Sequence, residues 1–394
     1  MRKAIDILFV CAILAFLVLG LGRTLLAPEE VNTYENRYAA QVPALTAAGW
    51  ADQSFQDGVE SALMDQIPGA STMKSLYNRC TTRYLKDTLD LLAARAGLDG
   101  AQYVNFGGMR LFGDHYIVYW PRYVSGVQPE LDRKIETLNA TFARHPELTF
   151  YAYYIQKDTD LDFETRQKTD LSDYLMPRLQ LPEERKGVYE IDDFGQYARY
   201  FYRTDGHWCH EGSYVGYRQL VELLGCAGDP LEPVGDAVLV CDDFSGKKAA
   251  AIAGEGVFTE PFYAYRFDWP AMTVTINGQP AADYGAQEAY LDGTATDTLS
   301  YGGFYGGDNG ETILSTGTEG RGKLLVIGES FDNAILKLLA THYDTLYSID
   351  LRYYEYEMGQ PFDFSAYVAA HGIDQVLLIG NIDYYIQDTF DPER

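Results

Sequence analysis

Apolar runs and helical stripes alternate along the chain in a way that predicts strands separated by helices. The predicted strands are continuous apolar runs, a pattern typical of parallel strands that are covered on both faces: 149–155, 323–327, 347–349 and 376–379. The stretches between the last three runs have apolar residues at helical spacing: 332–341 and 363–371. Strands that alternate with helices predict an α/β fold with a doubly wound parallel sheet.

Helical spacing also predicts helices in earlier parts of the chain: 54–64, 74–96, 131–144 and 211–224. Residues 236–319 differ, because Gly, Asp and Thr are frequent there and the apolar runs are short. The run Met272–Ile276 alternates apolar and polar positions, and Asn277-Gly278 directly after it is a hairpin signal. We therefore expect 236–319 to be a β-rich insertion in the α/β domain.

The N-terminus carries an apolar run at 7–22 that is preceded by Arg2 and Lys3 and followed by Arg23. Three apolar residues after Arg23 lengthen the run, which predicts an uncleaved signal-anchor helix over 1–27. Because Arg2 and Lys3 favour a cytoplasmic N-terminus, the remainder of the chain is expected outside the cell membrane. A cleaved secretory signal, which would leave a secreted protein, and an ordinary buried helix are the alternatives.

After this helix the sequence predicts a juxtamembrane segment, 28–73, and then the α/β domain, 74–394. The 394 residues are 47% apolar, which is sufficient for a sizeable core. The formal net charge of -26 argues against nucleic acid as a partner and disfavours a strongly anionic substrate. Composition thus favours a folded enzyme or binding protein that acts on a neutral partner.

Five cysteines are present, of which Cys11 lies in the predicted anchor. The other four, Cys80, Cys209, Cys226 and Cys241, allow one or two disulfides whose pairing the sequence does not determine. Free buried thiols are the alternative. No two cysteines are in a C-x-x-C arrangement, which argues against a zinc or redox motif.

Two short segments contain the groups needed for acyl transfer. Asp205 and His207 are two residues apart in a predicted loop, and Ser330 follows the predicted strand 323–327. A serine hydroxyl becomes nucleophilic when a histidine takes its proton and a carboxylate holds the imidazole in the right tautomer. Ser330 and Asn381 both follow strand ends, where ligands bind in α/β sheets. We expect Ser330 to be the nucleophile, His207 the base and Asp205 the acid that orients it.

Further residues are candidates for binding the substrate at this edge. The backbone N–H of Ser330 and the side-chain amide of Asn381 are candidate donors to the developing oxyanion. Arg352, with Tyr353 beside it, is a candidate for contacting an acyl or sugar group. A structural ion pair between Arg352 and Asp350 is the alternative.

A metal site is the competing hypothesis for the first segment. Asp205, His207 and His210 have the spacing of metal ligands. No acidic cluster elsewhere in the sequence is aligned with them, and a metal site would leave Ser330 without a role. We therefore expect neither a metal nor a cofactor.

Four segments form an ordered set that spans nearly the whole chain after the predicted anchor: 34–38, 202–208, 325–334 and 349–354. Together they resemble the motifs of the DHHW family. Gly206 stands where that family usually has His, so that only Asp205 and His207 of the motif are kept. Glu329 stands where the family has Asp before the serine, and 380–383 is similar to the Gly-x-Asn-Asp block of SGNH enzymes.

The DHHW family is similar to the SGNH-hydrolase-like acetyltransferases that modify exported polysaccharides, such as the alginate O-acetylation proteins. In those proteins Asp-x-His precedes the serine, a permuted order relative to SGNH esterases, and the same order is present here. The resemblance implies an SGNH-like fold and an extracytoplasmic O-acetyltransferase that modifies a cell-surface or exported polysaccharide through a serine acyl-enzyme. It also implies a membrane-bound O-acyltransferase as acetyl donor. A carbohydrate esterase with the same triad and a catalytically silent glycan-binding or assembly protein are the alternatives.

Overall fold

The structure is a computed structural model. It describes an almost continuous part of the chain and scattered positions before it: 37–66, 108–113, 115–253, 258–318, 320–387 and 391–393, with single positions in 10–32 and 72–88 and residues 105–106. The chain separates into two compact units. One consists of Met1–Asp99 with Lys247–Phe258, and the other of Gly100–Gly246 with Thr259–Arg394. The second unit contains every residue of the predicted site.

The strands, numbered in chain order, are β1 Val31–Asn32, β2 Arg37–Tyr38, β3 Asn105–Phe106, β4 Met109–Phe112, β5 Tyr116–Tyr119, β6 Thr149–Ile155, β7 Leu161–Asp162, β8 Gln167–Lys168, β9 Lys186–Tyr189, β10 Val238–Phe244, β11 Glu260–Ala264, β12 Thr273–Ile276, β13 Gln279–Ala281, β14 Glu311–Ser315, β15 Lys323–Ile327, β16 Thr345–Ile349 and β17 Gln375–Gly380.

The α-helices are α1 Ala47–Ala51, α2 Ser54–Gln66, α3 Val124–Arg144, α4 Leu171–Leu175, α5 Phe194–Tyr200, α6 His210–Leu223, α7 Lys247–Ala253, α8 Gln287–Leu291, α9 Tyr301–Tyr305, α10 Asn333–Ala340, α11 Tyr354–Met358, α12 Phe364–His371 and α13 Ile382–Ile386. Two short 3₁₀ turns cover Met176–Arg178 and Glu183–Arg185.

In the first unit, α2 confirms the helix predicted at 54–64. Its residue Ala62 is fully buried, and Asp65 accepts a hydrogen bond from the backbone N–H of Ala40 at 2.8 Å. The predicted signal anchor and the predicted helix at 74–96 fall mostly outside the described residues. Within the parts of the chain that the structure describes, no helix has the length and apolar character needed to cross a membrane.

The second unit is built on an eight-stranded sheet with the order β13-β12-β14-β16-β15-β17-β6-β9. Five neighbouring strands, from β16 to β9, are parallel. The strands β14, β12 and β13 continue the sheet in antiparallel pairs. An α/β fold is therefore confirmed, and the expected parallel sheet is present in part, because three antiparallel strands continue the five parallel ones.

The change of direction has a local cause. Only residues 316–322 connect β14 to β15. A connection between parallel strands needs a dozen residues or more, so a link this short makes β15 run opposite to β14. The predicted hairpin at Asn277-Gly278 is present and joins β12 to β13, with both residues at positive φ. The predicted insertion thus contributes three strands to the main sheet.

Both faces of the sheet are covered by helices. On β15, Leu324 and Val326 face one apolar layer, while Leu325 and Ile327 face the other. The first layer contains residues of α6 and α10, and the second contains residues of α3, α12 and α13. Burial on both faces explains why this strand is apolar at every position after Lys323.

The parallel strands end at one edge of the sheet, which we call the carboxyl edge. Asn381 follows β17, Asp350 follows β16, and Ser330 lies three residues after β15. Lys157 follows β6 at the same edge. The helix α10 begins at Asn333 rather than directly after Ser330, so Ser330 lies in a turn before the helix and not in its first turn.

All five cysteines have free thiols. The sequence left disulfides and free thiols as alternatives, and disulfides are absent among the described residues. Burial raises the pKa of the Cys209 thiol to about 11, which keeps it protonated at neutral pH.

Candidate active site

The loop that carries His207 is fixed by a tryptophan that packs onto the helix after it. Trp208 is completely buried, and its backbone forms an antiparallel bridge with Phe201 across the loop. A Cβ at Gly216 of α6 would lie 2.6 Å from the Trp208 ring, and a Cβ at Gly212 would lie 2.2 Å from the carbonyl oxygen of Tyr200. The glycines thus allow α6 to approach the loop closely.

Asp205 and His207 are joined by two hydrogen bonds. Asp205 Oδ1 lies 2.5 Å from His207 Nδ1 and also accepts the backbone N–H of His207 at 3.1 Å. The Asp205 side chain is 1% exposed and the His207 side chain 15%. The carboxylate is therefore shielded from water, while the imidazole keeps an accessible edge.

Ser330 completes the arrangement from the other end of the sequence. Its Oγ lies 2.7 Å from His207 Nε2, although the two residues are 123 positions apart. Gly328 permits the turn that carries Ser330, because a Cβ there would lie 2.2 Å from Asp332 Oδ2 and 2.9 Å from Ile379 Cγ2. The structure thus brings together the three residues that the sequence predicts to act together.

Two side chains near this loop were missed by sequence reasoning. The ring of Tyr301 stacks on the His207 imidazole with centroids 4.0 Å apart and planes inclined by 6°. Glu260 accepts hydrogen bonds from the backbone N–H groups of Arg203 and Thr204, which directly precede Asp205. Both lie in 236–319, and no local motif marks either of them, because the contacts form only in the folded chain.

Asn381 is placed differently from its predicted role. Its side-chain amide donates to Glu329 Oε1, and its backbone N–H donates to the same oxygen at 3.2 Å. Its side-chain oxygen accepts the backbone N–H of Asp383 at 2.8 Å. Burial raises the pKa of Glu329, against the opposing charges of Arg352 and Lys157. Asn381 thus links the ends of β15 and β17, and its role as an oxyanion donor stays a prediction.

Arg352 forms the ion pair that was the alternative to a substrate contact. Its Nη2 lies 2.5 Å from Asp350 Oδ2 and 3.3 Å from Asp308 Oδ2. The Tyr353 ring lies against the guanidinium, with its centroid 5.3 Å from Cζ. Burial raises the pKa of Asp350, although Arg352 opposes the shift. A substrate contact by Arg352 or Tyr353 stays a prediction.

The competing metal hypothesis gains no support from the geometry. The His210 ring contacts the rings of Tyr263 and Tyr265, with centroids 5.9 and 5.0 Å away. Among the residues that the structure describes, no group of three His, Cys, Asp or Glu side chains is arranged to hold a metal ion. His207, for its part, is engaged by Asp205 and Ser330.

The fold and this geometry define a class of α/β proteins in which a carboxylate, an imidazole and a hydroxyl form one hydrogen-bonded line at the carboxyl edge of the sheet. Within that class, the family model described as DHHW protein matches residues 165–349, which include all three side chains. The resemblance to the DHHW family that the sequence predicts is thereby confirmed.

Two solved structures are similar over three quarters of the chain. PatB1 from Bacillus cereus with a sulfonyl adduct has a TM-score of 0.56 and 18% identity, covering 75% of this chain and 100% of that one. A DHHW family protein from Eubacterium siraeum has a TM-score of 0.52 and 16% identity, covering 75% and 97%. At these identities the likeness concerns the fold. No curated protein matches the sequence.

Proposed function

We propose that the protein is an O-acetyltransferase that modifies a cell-surface or exported polysaccharide through a serine acyl-enzyme. The observation that carries the proposal is the line of hydrogen bonds from Asp205 through His207 to Ser330. The permuted order of the motifs, which resembles that of polysaccharide acetyltransferases, supports transfer to a sugar. The predicted signal anchor supports a location outside the cytoplasm.

In the first half-reaction, Ser330 Oγ attacks the acetyl carbonyl of the donor while His207 Nε2 takes the hydroxyl proton. The tetrahedral intermediate then collapses, the donor's leaving oxygen takes the proton from Nε2, and acetyl-Ser330 remains. Asp205 holds the Nδ1 proton and stabilises the imidazolium that forms between the two transfers. This half-reaction needs no redox group or metal.

In the second half-reaction, a sugar hydroxyl attacks acetyl-Ser330 and gives its proton to His207 Nε2. Collapse of this intermediate releases the O-acetyl sugar, and the proton returns to Ser330 Oγ. Because cytosolic acetyl-CoA is not available outside the membrane, a membrane-bound O-acyltransferase is the proposed source of the acetyl group. The acceptor is proposed to be neutral, since the chain carries a net charge of -26.

The nucleophile is tested with phenylmethylsulfonyl fluoride on the full chain. A sulfonyl fluoride reacts with an activated hydroxyl and releases fluoride, and the similar Bacillus cereus protein carries a sulfonyl adduct. We expect one adduct by intact mass, and none in Ser330→Ala. Ser365→Ala is a matched control, because that exposed hydroxyl also lies near a histidine nitrogen, 3.4 Å from His145 Nε2. An adduct that persists in Ser330→Ala contradicts the proposal.

The acceptor is tested with 4-nitrophenyl acetate and chito-oligosaccharides, with mass detection of acetylated sugar. Acetylated sugar that disappears in Ser330→Ala supports transfer. Release of nitrophenol without acetylated sugar favours the esterase, which shares all three residues and uses water as acceptor. If neither nitrophenol nor acetylated sugar forms, a glycan-binding or assembly protein explains the fold better than an enzyme does.

A further inference from the structure

The predicted β-rich segment contributes two side chains to the loop that carries His207, although neither belongs to a motif. Glu260 comes from β11 and Tyr301 from α9. We infer that Glu260 and Tyr301 are positioning residues, which hold Asp205 and His207 in line with Ser330. The inference rests on the proposed function of these three side chains.

Glu260 binds the peptide that leads into Asp205. Its Oε2 accepts the backbone N–H of Arg203 at 2.8 Å, and its Oε1 accepts both the backbone N–H and the hydroxyl of Thr204 at 2.6 Å. Three donors thus bind the two carboxylate oxygens, which ties this peptide to β11. Burial raises the pKa of Glu260, and the hydrogen bonds from Thr204 and Arg203 oppose the shift.

Other contacts show that this peptide is held from several sides. The Thr204 hydroxyl accepts the backbone N–H of Gly246 at 3.0 Å while it donates to Glu260. The Arg203 guanidinium donates to the carbonyl of Thr259 at 2.5 Å, next to Glu260 in the sequence. The carbonyl of Arg203 accepts the backbone N–H of Ile117 on β5 at 2.9 Å. Glu260 is the carboxylate of this set, and hydrogen bonds to a charged acceptor are stronger than those between neutral groups.

Tyr301 acts on the ring itself. With planes 6° apart and centroids 4.0 Å apart, the phenol covers one face of the imidazole, so the ring cannot turn about its Cβ–Cγ bond without a clash. Nδ1 therefore stays on Asp205 and Nε2 on Ser330. The same ring face attracts the imidazolium that forms during the reaction. Tyr305, Asp205 and Asp332 also act on the Tyr301 phenol, and the Tyr202 ring contacts it with centroids 6.3 Å apart.

The test of Tyr301 compares Tyr301→Leu with Tyr301→Phe, which keeps the ring. The reaction with phenylmethylsulfonyl fluoride is followed as a second-order rate against pH. In Tyr301→Leu we expect a rate lower by about three- to tenfold and a profile whose acid limb moves to lower pH, because the imidazolium loses its partner. Tyr301→Phe should keep both rate and profile. A leucine variant with the wild-type profile overturns this part of the inference.

The test of Glu260 measures the hydrolysis of 4-nitrophenyl acetate and compares Glu260→Gln with Glu288→Gln. Glu288, in the same segment, also accepts side-chain hydrogen bonds, from Trp269 and Arg266, but makes none to the loop. We expect kcat to fall about tenfold or more in Glu260→Gln with KM unchanged, since misplacement affects the chemical step. Glu288→Gln should match the wild type.

Different results contradict the proposed function and the positioning roles. A wild-type chain that reacts with neither reagent contradicts the proposed function. A reactive wild type whose Glu260→Gln variant keeps its kcat, with the same melting temperature, contradicts only the positioning role of Glu260. Glu260→Gln keeps the shape of the side chain and one acceptor oxygen, which makes it the informative variant even where Glu260→Ala fails to fold.

Discussion

Asp205 Oδ1 binds His207 twice, at the ring Nδ1 with 2.5 Å and at the backbone N–H with 3.1 Å. One oxygen thus sets both the path of the loop and the orientation of the imidazole. A carboxylate in this position keeps the proton on Nδ1, which leaves Nε2 free to accept the proton of Ser330, 2.7 Å away. Only Gly206 separates Asp205 from His207, in a loop that is closed by the hydrogen bond from the backbone N–H of Tyr202 to the carbonyl of His207 at 3.1 Å.

Asp205→Asn is expected to remove most of the reactivity of Ser330. An amide can present an N–H to Nδ1, which favours the tautomer with its proton on Nε2 and blocks proton transfer from serine. Loss of the orienting acid lowers kcat by about 10⁴-fold in triads of this type. The rate of labelling by phenylmethylsulfonyl fluoride measures the effect, with the exposed Asp242→Asn as control. A loss of less than tenfold would argue against this role.

Gly246→Ala is expected to disturb the site although it replaces none of the three residues. A Cβ at Gly246 would lie 2.5 Å from Asp205 Cβ and 2.7 Å from the carbonyl oxygen of Thr204, so the loop must shift. A displacement of about 1 Å can cost about 100-fold in rate. Gly126→Ala in α3 is the matched control, because nothing lies within 4 Å of its added Cβ. Equal ester hydrolysis rates in the two variants would contradict the prediction.

Asp332→Asn is expected to stabilise the protein at neutral pH but not at low pH. Burial, with the nearby charges of Asp350 and Asp308, holds the pKa of Asp332 well above its usual range. A raised pKa means that the folded chain binds this proton more tightly, so the free energy of unfolding falls as pH rises through the folded value. The melting temperature of the variant should exceed that of the wild type by an amount that grows from pH 4 to pH 8. A difference that does not grow with pH would refute this.

Lys157→Met is expected to destabilise the carboxyl edge at pH 7. Although burial alone lowers its pKa, Asp383 and Asp158 raise the pKa of Lys157. Its contribution to the free energy of unfolding is therefore fully present below the pKa of the unfolded chain, near 10.5, and is lost only as pH rises further. The ammonium lies 3.0 Å from Asp383, which keeps a second partner in Arg122. We expect a loss of about 1–3 kcal/mol in urea unfolding.

The double variant separates the ion pair from packing. Adding Asp383→Asn to Lys157→Met should recover part of the lost free energy of unfolding. The second substitution removes the Asp383 charge, which has lost one of its two cationic partners. Lys168→Met is the control, since Lys168 is 39% exposed beside Asp192 and exposed pairs contribute little. Strict additivity of Lys157→Met and Asp383→Asn would mean that the pair is not coupled.

The parts of the site that the sequence predicts are those that follow from strand ends. Ser330 comes after an apolar run that is buried on both faces, and Asp205 and His207 are close in sequence. Local patterns are therefore sufficient to predict that these three residues act together. Glu260 and Tyr301 reach the loop only through tertiary packing, and neither the acid nor the ring differs in sequence from many others in the chain. Their contacts with the loop exist only in the folded chain.

The fold shows the same division. The parallel strands around β15 and the hairpin at Asn277-Gly278 were predictable, because periodicity and turn residues report them directly. Periodicity does not report that β14 runs antiparallel to β15, although the short connection 316–322 requires it. The signal anchor at 1–27 stays a prediction.

The order of the site along the chain has a consequence for biosynthesis. His207 leaves the ribosome before Glu260, Tyr301 and Ser330, so the imidazole is made before the side chains that hold it and before the hydroxyl it serves. A nascent chain that ends before β15 therefore lacks Ser330, the proposed nucleophile. On the proposed function, acylation therefore requires that β15 has been made, together with β16 and β17, which flank it in the sheet.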